Sequence, residues 1–252
     1  MRINKDRAIG RVLYIVEGSS TEFNLLKRIF CNVLGFEYIE KRRTKQNIFR
    51  KHSDDFSRST IAVINTSNSN ITDISDNEYL EELFQMLINE CHFPVDKAAI
   101  YYLFDRDPES NDSKAIRRYI ETLRDPMDND DGMKAGLLLL SYPCIESYMV
   151  SSFVDNTYEI EFGIGKHLKS YVGKNQTIQM NKISEDTLLF ATEEFLAYLH
   201  NLGLELNVDD FSETSRIIFE KQEEKYVAGK VFSLFSMLTL SFIQMGIIEL
   251  DP

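Results

Sequence analysis

Cysteine is scarce and scattered in this chain of 252 residues, in which Cys31, Cys91 and Cys144 are the three present. An odd number at wide spacing fits neither a disulfide framework nor a zinc site. Three reduced thiols are therefore expected, as is typical of a cytoplasmic protein. Residues 1–11 are charged and contain no apolar stretch, so no secretory signal peptide is predicted.

Long apolar runs are also lacking. The best candidate for a membrane span is residues 231–250, which Thr239, Gln244, Gly246, Glu249 and several serines interrupt. Its apolar residues recur at helical spacing. This pattern predicts a helix within the core rather than a span, and no membrane partner.

Positive charge is the third deficit, with 28 Lys and Arg against 40 Asp and Glu and a net charge of −12. Such a balance argues against a surface that coats nucleic acid indiscriminately. A local basic segment is nevertheless present at residues 41–51, with six basic residues and no acid. It is either a solvated loop or a strip that contacts substrate phosphates through Arg42, Arg43 and Lys45.

Strand and helix patterns alternate from residue 10 to about residue 155. Apolar runs predict strands at 12–16, 59–67, 98–104 and 135–140, and helical stripes lie at 23–33, 80–91 and 115–123. Residues 38–58 are polar and basic and are read as an excursion or a hairpin. This alternation predicts an α/β fold with a parallel sheet flanked by helices.

The rest of the chain lacks strand runs of similar quality. Residues 185–202 and 212–245 are predicted to be helical. The expected organisation is an α/β domain over 1–155 and a mainly helical C-terminal extension over 156–252. The apolar faces at 188–199 and 231–245 form either core or a subunit interface, and an interface would make the protein a homo-oligomer.

Acidic residues stand where the predicted strands end. Glu17 ends the first strand, Asp105 and Asp107 end the third, and Glu146 comes shortly after the fourth. The carboxyl ends of parallel strands meet at one edge of a sheet, where sites form. If the extended conformation persists, Asp105 and Asp107 point to the same face. Arg106 should then face away, with a structural salt bridge as its role.

Clustered carboxylates repel one another and raise one another's pKa, and a divalent cation resolves that conflict. Oxygen ligands without a matching set of Cys or His favour Mg²⁺ or Mn²⁺ over zinc and suit phosphoryl chemistry. Simpler interpretations remain open. Asp105 and Asp107 fit a surface turn, Glu146 fits the start of a helix, and Glu22 fits a capping box with Ser19.

Two segments carry a family resemblance. VEGSSTE at 16–22, followed by LFDRD at 103–107, resembles the TOPRIM signature, which is Glu-Gly after the first strand and Asp-x-Asp after the third. The form EGxxTE and the stretch SYPCIESYMVSSF at 141–153 are similar to the RloB-like and OLD-type nuclease branch. In that stretch Tyr142, Ile145 and Tyr148 replace Asn, Phe and Trp. The resemblance covers roughly 150 residues.

The resemblance implies a TOPRIM-like fold and a metal-dependent endonuclease that acts on RNA, tRNA included, or on DNA in bacterial anti-phage defence. It implies that Glu17 is a metal ligand or general acid-base group and that Asp105 and Asp107 bind metal. Glu146 would complete a second metal position, with Glu22 assisting. Relatives are sometimes paired with an ATPase, and because no GxxxxGK[ST] motif occurs here, an ATPase would be a separate chain.

Two other functions stay open. One is a catalytically inactive TOPRIM scaffold that binds nucleic acid or a partner, which the retained acids disfavour. The other is primase-like nucleotidyl transfer, which the lack of template-binding modules disfavours. In the C-terminal half, Lys166 and Lys169 lie in a basic stretch that either contacts substrate phosphates or forms an exposed loop.

Overall fold

A computed structural model describes residues 1–18, 20–41, 46–52, 58–66, 77–89, 92–127 and 136–251. Its strands are Arg2–Ile3 (β1), Arg11–Val16 (β2), Glu37–Lys41 (β3), Gln46–His52 (β4), Arg58–Asn65 (β5), Ala99–Asp105 (β6), Arg124–Asp125 (β7), Gly136–Tyr142 (β8), Glu161–Phe162 (β9), Phe232–Ser233 (β10), Phe235–Ser236 (β11) and Ile248–Glu249 (β12). Its α-helices are Thr21–Lys27 (α1), Asn77–Asn89 (α2), Ser113–Thr122 (α3), Glu146–Ser151 (α4), Gly165–Lys174 (α5), Glu185–Asn201 (α6), Ser212–Gly229 (α7) and Leu238–Gln244 (α8). A π-helical turn, Arg28–Val33, continues α1, and 3₁₀ turns cover Val95–Lys97, Thr157–Glu159 and Met180–Lys182.

The centre of the fold is one mixed, mostly parallel sheet. Strands β8, β6, β2 and β5 lie side by side in that order and are parallel. Strand β4 pairs antiparallel with β5, β3 pairs with β4, and β11 pairs antiparallel with β8. The α/β class is confirmed, and the four predicted strands are the four parallel ones. The predicted excursion at 38–58 contains the β3–β4 hairpin, which widens the sheet.

Strand β2 shows why the sheet is buried on both faces. Residues 12–16 are apolar and at most 1% exposed, as expected of a parallel strand covered by helices. The hydroxyl of Tyr14 shares a hydrogen bond of 2.7 Å with Ser241 of α8. The ring of Phe30 lies 6.1 Å from Tyr14 and 5.9 Å from Phe242. The turn after α1 and helix α8 therefore pack over the same part of β2.

The prediction of helix over 212–245 is confirmed for Ser212–Gly229 and Leu238–Gln244 and is wrong between them. Helix α7 ends at Gly229 because Lys230 adopts a left-handed conformation with φ of 58°, which stops a helix. The chain then forms β10, β11 and the short helix α8. Every position from 232 to 243 is buried, so apolar spacing carries no helical period there. Strands β9 to β12 were missed because two residues are too few for an alternating pattern.

The segment beyond residue 155 belongs to the same core as the segment before it. Strand β11 lies on the edge of β8, and β12 pairs with β1. Residues from both sides of position 155 contribute to one hydrophobic cluster. The mainly helical C-terminal part thus helps to build the sheet edge next to Glu146.

The sequence predicted neither disulfide bonds nor a membrane span, and the described residues can be compared with both predictions. Cys31 and Cys144 are free thiols, and Cys91 lies outside the described part. In the part of the chain that the structure describes, no helix combines the length and apolarity needed to cross a bilayer.

Candidate functional site

The carboxyl ends of β2 and β6 place Glu17 beside Asp105. Glu17 follows β2, and its backbone N–H donates to the carbonyl of Leu103 at 3.2 Å. Oε2 of Glu17 accepts from the backbone N–H of Asp105 at 2.9 Å. Oδ1 of Asp105 accepts from the backbone N–H of Ile145 at 2.8 Å. Glu17 is 7% exposed and Asp105 is 6% exposed, so both carboxylates are buried at the sheet edge.

Two buried side chains fix the loop that follows β6. Nδ2 of Asn111 donates to Oε2 of Glu17 at 2.9 Å and to the carbonyl of Asp105 at 2.8 Å. Nη1 of Arg106 donates to the carbonyl of Asn111 at 3.1 Å, and its Nε pairs with Glu223 at 2.6 Å. The salt-bridging role predicted for Arg106 is confirmed. Asn111 was missed because it lies in a polar turn whose composition gives no sign of burial.

Glu22 and Glu146 complete the acidic group. Oε1 of Glu22 accepts from the backbone N–H of Gly18 at 3.2 Å. A β-carbon at Gly18 would lie 2.8 Å from that oxygen, so this glycine leaves room for the carboxylate. Glu146 begins α4 and is 6% exposed, and within the described residues its Oε2 has no hydrogen-bond partner. The charges of these two residues act on each other and on Asp105. We call Glu17, Glu22, Asp105 and Glu146 the carboxylate cluster.

Burial raises the pKa of three members of this cluster, Glu17, Asp105 and Glu22. It raises the pKa of Glu17 to about 7, although hydrogen bonds from Asp105 and Asn111 limit the rise. Burial and, after it, the charge of Glu17 raise the pKa of Asp105. Burial likewise raises the pKa of Glu22, and the charge of Glu146 adds to the rise. Additional positive charge at this place is therefore electrostatically favourable.

A lysine of α5 supplies part of that charge. Nζ of Lys169 lies 3.9 Å from Oδ2 of Asp105, and the lysine side chain is 51% exposed. Partial burial lowers the pKa of Lys169, but the nearby charges of Asp105, Glu146 and Glu22 outweigh burial, and the pKa is raised overall. The ammonium group thus balances a fraction of the cluster's negative charge.

Asp107 is bound to backbone groups rather than to the carboxylate cluster. Its Oδ2 accepts from the N–H of Gly165 at 2.9 Å, and its Oδ1 accepts from the N–H of Glu109 at 3.1 Å. Strand β6 ends at Asp105 and a turn begins at residue 108, so Asp107 lies between the strand and the turn. The metal role predicted for Asp107 stays a prediction.

The cluster fits a hard divalent cation in its chemistry. Its four carboxylates offer oxygen ligands, and the unpartnered oxygen of Glu146 is a buried acceptor that nothing among the described residues satisfies. Within the described ranges, no three or more His, Cys, Asp or Glu side chains already have the geometry of a metal site. The carboxylates would therefore have to turn toward one another to hold Mg²⁺ or Mn²⁺.

The other candidate residues from the sequence divide into two groups. Lys166 is exposed on the first turn of α5, one turn before Lys169. The remaining candidates lie outside the described residues: Arg42, Arg43, Lys45 and the capping-box residue Ser19.

Replacing Glu17 with glutamine is expected to stabilise the metal-free protein at about pH 8. Because the folded protein raises the pKa of Glu17 from 4.5 to about 7, stability from this group is present below 4.5 and lost as the pH rises through about 7. Glutamine carries no charge and keeps an oxygen for the two donors, Asp105 N–H and Asn111. Urea unfolding in EDTA should show a gain of about 1–3 kcal/mol at the higher pH.

The matched control is Glu205→Gln, since Glu205 is an exposed glutamate. Its unfolding free energy should follow that of the wild type across the same pH range. If Glu17→Gln is less stable than the wild type at the higher pH, burial of this carboxylate does not destabilise the fold as argued.

The chain was compared with protein-family models, with curated proteins and with solved structures, and none of the three comparisons finds a match.

Proposed function

We propose that this protein is a metal-dependent nuclease, built on a TOPRIM-like fold, that hydrolyses phosphodiesters in nucleic acid. The observation that carries the proposal is the carboxylate cluster, which is buried at the carboxyl ends of β2, β6 and β8 with one oxygen of Glu146 unpartnered in the described chain. Buried acids that raise one another's pKa destabilise a fold, so such groups are typical of functional sites. The Glu-Gly and Asp-x-Asp segments, which resemble the TOPRIM signature, support the same function.

The residues of the cluster take different roles in this proposal. Glu17, Asp105 and Glu146 would hold Mg²⁺ or Mn²⁺, with Glu22 assisting. When bound, the cation would stabilise charge at phosphorus and favour ionisation of a water molecule. Burial raises the pKa of Glu17 to about 7, so this carboxyl group can accept or release a proton near neutral pH. The resemblance also implies a metal role for Asp107, but both its oxygens accept backbone hydrogen bonds, and this favours a positioning role over a ligand role.

Positive groups near the cluster would guide a polyanionic substrate. Lys169 already faces Asp105, and Lys166 lies one turn earlier on the same helix. Arg42, Arg43 and Lys45 remain proposed phosphate contacts. Because RNA, tRNA and DNA present the same phosphodiester, the proposal covers all three. The family resemblance supports a role in anti-phage defence with a separate ATPase chain as partner. The scattered cysteines support a cytoplasmic location, and a homo-oligomer stays a prediction.

A cleavage assay tests the proposal directly. The wild-type protein, freed of metal with EDTA and dialysed, is incubated with single-stranded RNA, tRNA, and single- and double-stranded DNA. Mg²⁺ or Mn²⁺ is added to parallel samples. We expect at least one substrate class to be cut only when a divalent cation is present, because the cluster provides oxygen ligands but too little positive charge of its own.

Several outcomes of this cleavage assay would count against the nuclease proposal. Absence of cleavage with either cation, or cleavage that persists in EDTA, contradicts the proposal. Tight binding of nucleic acid without cleavage would favour the inactive scaffold instead. Extension of a primer from nucleoside triphosphates would favour nucleotidyl transfer.

A further inference from the structure

The second aspartate of the Asp-x-Asp segment has a partner that its place in the sequence does not suggest. Oδ2 of Asp107 accepts a hydrogen bond of 2.9 Å from the backbone N–H of Gly165, the first residue of α5. The first N–H groups of a helix have no partner within the helix, and its N-terminus favours a negative charge. Asp107 therefore anchors the start of α5 to the loop after β6.

The approach of α5 to this loop is close. A β-carbon at Gly165 would lie 2.5 Å from Oδ2 of Asp107 and 3.2 Å from Cβ of Cys144. The thiol of Cys144 also lies 3.8 Å from the carbonyl of Gly165. The first turn of α5 is thus fixed between Asp107 on one side and the segment that leads to Glu146 on the other.

The contact between Asp107 and Gly165 affects the position of the ammonium group of Lys169. Lys169 lies four residues after Gly165, one helical turn along α5, and its Nζ is 3.9 Å from Oδ2 of Asp105. We propose that Asp107 is a positioning residue whose carboxylate holds α5 so that Lys169 faces the carboxylate cluster and competes there with a divalent cation. The competition rests on the nuclease function proposed above, whereas the positioning of α5 does not.

Replacing an aspartate that is a metal ligand and replacing one that is a positioning residue should change metal affinity in different ways. Calorimetric titration with Mn²⁺ should show binding weakened at least ~10-fold by Asp105→Asn, which removes a ligand charge. Lys169→Met should tighten binding about 5-fold, because a competing positive charge is removed. Asp107→Ala should also tighten it, since Lys169 is then no longer held against Asp105. Asp107→Asn should resemble the wild type, because its amide oxygen still accepts from Gly165.

A second measurement needs no metal. Lys169→Met should lower the midpoint of thermal unfolding by about 2 °C in the wild-type background and by less than half of that in the Asp107→Ala background. The matched control is Lys174→Met, which removes an exposed lysine at the other end of α5. It should leave both the midpoint and the Mn²⁺ affinity unchanged. If Asp107→Ala does not fold, Gly165→Ala disturbs the same contact from the helix side.

The outcomes separate this inference from the proposed function. If the wild type binds no Mn²⁺, the nuclease proposal fails, and the unfolding measurements still test whether Asp107 positions Lys169. If Asp107→Ala weakens Mn²⁺ binding as strongly as Asp105→Asn does, Asp107 is a ligand and the inference is wrong. Equal effects of Lys169→Met in both backgrounds would also overturn it.

Discussion

Asp105→Asn is expected to reduce metal-dependent cleavage by about 10²- to 10⁴-fold while leaving the protein folded. Asp105 is the centre of the carboxylate cluster, because it touches Glu17 through its N–H and Lys169 through its carboxylate. Asparagine keeps an oxygen that can accept from the N–H of Ile145, so the local hydrogen bond is preserved. What is lost is the negative charge that would hold a cation.

The control for this experiment is Asp155→Asn, the same chemical change at an exposed aspartate. Single-turnover rates of both variants are compared with that of the wild type at saturating Mg²⁺, and circular dichroism spectra verify that each is folded. Asp155→Asn should cleave at the wild-type rate. A folded Asp105→Asn protein that also cleaves at that rate would remove Asp105 from the proposed site.

Arg106→Ala is expected to destabilise the protein by about 3–5 kcal/mol, which corresponds to a thermal midpoint lower by roughly 10 °C. Arg106 is 3% exposed and pairs with Glu223 through two hydrogen bonds of 2.6 and 2.9 Å. Its guanidinium also lies 5.4 Å from the ring centre of Phe232 and bonds to the carbonyl of Asn111. Alanine removes these contacts and leaves the carboxylate of Glu223 mostly buried without its partner.

Arg117→Ala is a matched control for burial. Arg117 also pairs with a glutamate, Glu220 at 3.3 Å, and lies over an aromatic ring, Phe219, but its side chain is 51% exposed. Its loss should change the unfolding free energy by no more than about 1 kcal/mol. Urea unfolding gives the free energy of unfolding of both variants. A similar small change in both would mean that the buried ion pair of Arg106 contributes little to stability.

The sheet and the meeting of its acids could be predicted because they depend on local signals and on one topological rule. An acid directly after five apolar residues identified Glu17. Acids after the third and fourth predicted strands, which are β6 and β8 in the structure, identified Asp105 and Glu146. Since parallel strands bring their carboxyl ends to one edge of the sheet, the proximity of these acids could be predicted without any knowledge of individual contacts.

The contacts within the site could not be predicted, because they join residues that are far apart in the chain. Asn111 reaches Glu17 across 94 positions, and Asp107 reaches Gly165 across 58. A single sequence contains no pairwise information of this kind. The spacing of Asp105 and Asp107 suggested a shared face. Only the hydrogen bonds show that the two side chains have separate partners, the N–H of Ile145 for Asp105 and the N–H of Gly165 for Asp107.

The order in which the sheet can be completed follows from the position of β11. The hydroxyl of Ser141 at the end of β8 pairs with Ser236, which lies 95 residues later in the chain. Synthesis proceeds from the N-terminus, so the leucine-rich strand leaves the ribosome long before the segment that covers this part of its edge. Until then its peptide groups remain open to pairing with other chains. Nascent chains that pause between these two points are accordingly the species in which chaperones would matter most.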